Sequence, residues 1–62
     1  MWIRYKYKGN LCFLNLEKAD LITLVTGDKE QYIVVELDGR VCRINEFENK
    51  NFEEIKQKLM ES

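Results

Sequence analysis

The feature that most constrains this chain is its residue-by-residue alternation, interrupted at glycine. From Trp2 to Lys8 the order WIRYKYK sends Ile3, Tyr5 and Tyr7 to one side of an extended strand, and Arg4, Lys6 and Lys8 to the other. Gly9-Asn10 follows, and a tight two-residue loop built from this pair supplies the positive φ angles that such a loop requires. With that loop, Tyr7 faces Cys12, Tyr5 faces Leu14 and Ile3 faces Leu16. The opposite side pairs Lys8 with Leu11, Lys6 with Phe13 and Arg4 with Asn15. One side of the hairpin is then apolar throughout.

The segment LDGRVC repeats the device. An Asp38-Gly39 loop sets Val35 against Cys42 and Ile33 against Ile44 on one side, with Val34 against Arg43 and Glu36 against Val41 on the other. Between the hairpins, the run from Leu21 to Val25 has the β-branched character of a strand, and Gly27-Asp28 reads as a looser turn. Its inward side stays open, because Ile22 and Leu24 are as apolar as Leu21 and Val25.

After Glu46 the period becomes helical. Asn51 suits an N-cap, Glu54 three residues on completes a capping box, and Glu53 and Glu54 favour the positive end of the helix dipole. Phe52, Ile55 and Leu59 form one apolar stripe. These elements predict an α+β fold: a curled antiparallel meander of about five strands, with one C-terminal helix packed on the apolar face of Ile3, Tyr5, Leu14, Ile33, Val35 and Ile44. No linker or repeat divides residues 1–62, which read as a single domain. A chain of 62 residues, 45% hydrophobic and 34% charged with no proline, has the composition of a folded domain. It buries only about 60% of its unfolded surface, so its stability is marginal and further burial is at a premium.

The same residues restrict the chemistry. Histidine, the commonest general base, is absent. Cys12 and Cys42 form no CxxC or Cys/His grouping and fall on the inward side, so they read as two reduced, buried thiols, with a disulfide as the alternative. Gly9, Gly27 and Gly39 are isolated turn glycines rather than a phosphate-cradling loop, and Glu53 and Glu54 have a capping role. The expectation is a protein that is not an enzyme and carries neither metal nor cofactor. No apolar run approaches the roughly 20 residues that span a bilayer, and MWIRYKYK lacks the apolar stretch of a secretory signal, which predicts a cytoplasmic protein.

What remains is the second side of the sheet, with Trp2, Arg4, Lys6, Lys8, Leu11, Phe13, Tyr32, Val34, Val41 and Arg43. Net charge is -1, yet Arg4, Lys6 and Lys8 make the start basic, while Glu46, Glu48, Glu53, Glu54 and Glu61 make the end acidic. Aromatic residues with arginine in an apolar patch are typical of protein interfaces. The expected function is therefore that of a small binding protein acting through Trp2, Arg4, Lys6, Phe13, Tyr32, Val34, Val41 and Arg43. Two other readings stand beside it: a single-stranded nucleic-acid module, and a structural subunit of a homo-oligomer, most simply a homodimer. A third reading needs no partner, since strong curling would bury part of this side in a second small core. The edge most open to self-pairing by this reading is Trp2 to Lys8.

The strings GNLCFLN, ADLITLV, YIVVELDGR and the terminal FEEIKQKL together resemble the small FlbD family found among bacterial flagellar genes. In that resemblance Gly9 takes the early turn, Asn15 ends the apolar run, Gly39 the hairpin and Glu54 the acidic end helix. It implies a short β-meander followed by a helix, and a flagellar context. The use of Lys, Asn and Ile is also similar to that of small proteins from low-GC bacteria and their phages, and that similarity implies a phage or bacterial regulator or inhibitor of a host protein.

Overall fold

A computed structural model describes residues 1–61. Five antiparallel strands precede one helix: β1 (Trp2–Tyr7), β2 (Asn10–Asn15), β3 (Leu21–Thr26), β4 (Gln31–Leu37), β5 (Arg40–Asn45) and α1 (Phe52–Glu61). The strands form two sheets, β1-β2 and β3-β4-β5. The meander is divided after β2, where Leu16–Lys18 make a 3-10 turn. Asn15 starts it, its side-chain carbonyl accepting from the Glu17 N–H, and the Ala19 N–H closes it on Leu16. The chain thereby leaves the first sheet before it can pair β2 with β3.

The two hairpins differ in how closely they follow the sequence reading. In β4-β5 the register is the one expected, Val35 opposite Cys42 and Ile33 opposite Ile44, around Asp38 and Gly39 at φ 48° and 75°. In β1-β2 the loop is Lys8-Gly9 instead of Gly9-Asn10, with φ of 51° and 81°, so Tyr5 faces Cys12 and Ile3 faces Leu14. Both loops put glycine second and a tolerant polar residue first, and Asn10 opens β2. The displacement is two residues, so every side chain keeps its expected side of the sheet.

All six residues of the expected apolar face are buried, together with Phe52 and Ile55 of the helix. The helix thus covers the inner faces of both sheets. Asn51 stands at the expected cap position, its carbonyl accepting from the Ile55 N–H at 3.0 Å, and its side-chain amide donates to the Arg4 carbonyl at 3.3 Å, tying the helix start to β1.

Between the sheets lies a seam, closed by Asn49. Its side-chain oxygen accepts from the Lys6 N–H at 2.7 Å, and its amide donates to the carbonyls of Lys6 at 3.1 Å and Asn45 at 2.9 Å. One buried amide therefore replaces the rungs that a continuous ladder between β1 and β5 would have provided. The expectation that the β1 edge is open to self-pairing is overturned at its centre, because Asn49 and Asn51 occupy the outward backbone groups of Lys6 and Arg4.

The middle strand's inward side is now settled. Ile22 pairs with Val35 and Leu24 with Ile33, so these two share the core side of the sheet. Both are nevertheless exposed, at 38% and 43%.

Candidate interaction surface

Strand alternation carries the eight expected binding residues outward, but on two sheets rather than one continuous face. Trp2, Arg4, Lys6 and Phe13 belong to β1-β2, where Arg4 is paired with Phe13. Tyr32, Val34, Val41 and Arg43 belong to β4-β5, where Val34 is paired with Arg43.

On the first sheet, Trp2 and Phe13 are 64% and 62% exposed. They line an open groove of about 490 Å³ whose other walls include Leu37, Cys42, Lys18 and Arg40. Two large rings flanked by two cations, with the Asp38 carboxylate also in the wall, make an apolar surface with a charged rim, the composition of a protein-contact centre. Lys18 and Arg40 were not among the residues expected from sequence. They come from the 3-10 turn and the β4-β5 turn, and only tertiary folding carries those turns to the start of β1. Arg4 and Lys6 line a second groove, also about 490 Å³, shared with Leu11, Glu48 and Lys50. Its charge is mixed, since Glu48 sits among the cations and its carboxylate accepts from the Gly9 N–H at 3.3 Å.

On the second sheet the surface is partly self-covered. The Arg43 guanidinium stacks 3.8 Å above the Tyr32 ring and its Nε donates to the Asn45 side-chain oxygen at 2.9 Å. A cation held over a ring and by a hydrogen bond is pre-paired and less available to an outside anion. Tyr32 and Val34 are half-buried, whereas Val41 remains exposed. Phe47, outside every expected set, is also exposed in the turn that follows β5.

Cys12 and Cys42 are free and half-buried rather than fully buried. They approach the Tyr5 hydroxyl from different sheets. Burial first, then hydrogen bonding and incipient charge from Cys42 and Cys12, hold the Tyr5 phenol well above its ordinary value, so it is neutral throughout the physiological range. Among the described residues, no three His, Cys, Asp or Glu side chains are grouped so as to hold a metal ion. No helix among them is long and apolar enough to cross a membrane. In comparison with known proteins, the chain matches no family model, no curated protein and no solved structure.

Proposed function

We propose that this chain is a non-catalytic binding protein whose contact centre is the groove formed by Trp2 and Phe13 and rimmed by Lys18 and Arg40. The observation that carries the reading is the joint exposure of two large aromatic side chains, Trp2 and Phe13, in the walls of one groove. Scattered apolar residues on a surface need no explanation, but a tryptophan and a phenylalanine sharing one groove with two cations and one carboxylate favour a partner presenting an apolar side chain with a carboxylate beside it. Arg4 and Lys6 line a neighbouring groove on the same sheet, while Tyr32, Val34, Val41 and Arg43 lie on the other sheet as a second, more self-contained surface. Nucleic acid is favoured less, because Glu48 lies in the Arg4-Lys6 groove and Arg43 is held on Tyr32 and Asn45.

Phe13 points away from the core, so Phe13→Glu leaves thermal unfolding within about 0.5 kcal/mol of wild type, as surface changes usually do. Affinity purification from the native host with the wild-type chain, followed by a titration of the recovered partner, tests the reading. Phe13→Glu is expected to weaken that binding at least tenfold, about 1.4 kcal/mol. Equal binding by both chains would defeat the proposal, and a salt-steep affinity for labelled single-stranded oligonucleotide would replace it with the nucleic-acid reading.

A further inference from the structure

Strand β3 is an edge strand, with β4 as its one hydrogen-bonded neighbour among the described residues. Its sequence LITLVT contains no charge and no proline, the devices that normally protect an edge from pairing. The Gly27 N–H donates to the Glu30 carbonyl at 2.9 Å across the β3-β4 turn. Bonded pairs recur at every second residue of an antiparallel ladder. The backbone groups of Leu21, Thr23 and Val25 therefore point at β4, and those of Ile22, Leu24 and Thr26 point to the open edge.

The strand's side chains are as unfinished as its backbone. Ile22 and Leu24 lie on the same side as the fully buried Val35 and Ile33, yet the core stops short of them and leaves both exposed. On the other side Leu21 is exposed too. The whole chain has 4679 Å² of accessible surface, whereas compact monomers of 7.5 kDa expose about 4,250 Å². That excess agrees with a surface left for burial.

We propose that two copies of this chain pair through β3 about a two-fold axis at Thr23, forming one six-stranded antiparallel sheet. A two-fold perpendicular to a sheet preserves its faces, so only registers pairing residues of equal parity are allowed. With Thr23 on the axis, Ile22 meets the partner's Leu24 on the core side and Leu21 meets the partner's Val25 on the outer side. Every apolar residue of the strand then faces another. Ile22 and Leu24 are also the residues whose N–H and C=O groups point outward, so the two Ile22-Leu24 pairs form the bonded rungs. A second copy is thus complementary to this edge in backbone and apolar pattern, and no residue of β3 lines the Trp2-Phe13 groove.

Light scattering after size-exclusion chromatography, from micromolar to millimolar chain, is the test. A concentration-dependent dimer is expected. Thr23 is exposed and contributes nothing to the core, so Thr23→Lys and Thr23→Glu each keep the monomer fold, checked by circular dichroism, while placing like charges face to face at the axis. Each variant alone raises the dissociation constant about tenfold or more, and mixing the two restores a heterodimer, seen by native mass spectrometry. Phe13→Glu leaves the dimer intact. A chain that stays monomeric at millimolar concentration, a dimer unaffected by Thr23→Lys, a failure of the mixed variants to pair, or a dimer lost in Phe13→Glu but kept in Thr23→Lys overturns the proposal.

Discussion

Tyr5 stands where the two sheets meet, its ring in the core and its hydroxyl between the thiols of Cys12 and Cys42. Because the folded state holds this phenol neutral to higher pH than an unfolded tyrosine, which ionises near about 10, only the unfolded state gains from ionisation as pH rises past that value. The stability associated with a neutral Tyr5 is therefore fully present below pH about 10, and is lost as pH climbs towards the folded-state value. Urea unfolding of wild type and Tyr5→Phe at neutral and alkaline pH checks this. At pH 7 the variant is expected within about 1 kcal/mol of wild type, because the ring stays in the core and only the hydroxyl is removed. Above pH about 10 wild type is expected to lose more stability than the variant, the other tyrosines being common to both. Parallel pH curves would contradict the assignment. The alternation of WIRYKYK made Tyr5 legible as an inward residue, but nothing local could show that Cys42, from the other sheet, would reach its hydroxyl.

At the scale of elements, the hairpins rest on two loops of the same kind. Gly9 and Gly39 hold φ of 81° and 75°, and a Cβ at either would meet nothing within 4 Å. Any cost of Gly39→Ala is then conformational, since an L side chain in the left-handed region is strained by about 1 to 2 kcal/mol. The expected result is a denaturant midpoint lowered by that amount with an unchanged slope. A midpoint equal to wild type would show that the loop is not under this constraint. The strands were legible because alternation and glycine agreed. The first loop's position was not, because Gly9 has polar residues on both sides and either could complete the turn; the flanking β1-β2 register places Lys8 there. The helix starts after Asn51 as its local signal indicates, but nothing local shows that β1 brings the Arg4 carbonyl within reach of the Asn51 amide.

The whole molecule depends on how β1-β2 is joined to β3-β4-β5, and Asn49 is the joint, 4% exposed with bonds to Lys6 on both its N–H and C=O and to the Asn45 carbonyl. Asn49→Ala removes all three bonds and leaves those backbone groups without the partner that satisfied them. An unfolding cost of about 2 to 4 kcal/mol is expected, a large part of the stability of so small a domain. Asn51→Ala, which removes a longer bond at a less buried site, is expected to cost under about 1 kcal/mol. Chemical denaturation of both variants decides it, and an Asn49→Ala cost no greater than that of Asn51→Ala would deny the joint its role. Nothing in ENKN marks Asn49 as buried, because the segment has neither period nor apolar residue; its value arises from the strand edges on either side of it.

From the sequence alone came the strands, the helix, the side of the sheet taken by each residue of β1, β2, β4 and β5, and the six strand residues of the core, while the inward side of β3 did not. These follow from period, turn chemistry and the burial of apolar surface, all of which act within a few residues of one another. Tertiary structure alone decided the rest: the division into two sheets after the 3-10 turn, the Asn49 seam, the gathering of Trp2 and Phe13 with Lys18 and Arg40, and the exposure of Ile22 and Leu24. Alternation specifies which residues point inward, but how far a core extends depends on where the helix lies and how the sheets curve. Those are properties of packing between segments remote in the chain, and in this protein they stop the core one strand short of β3.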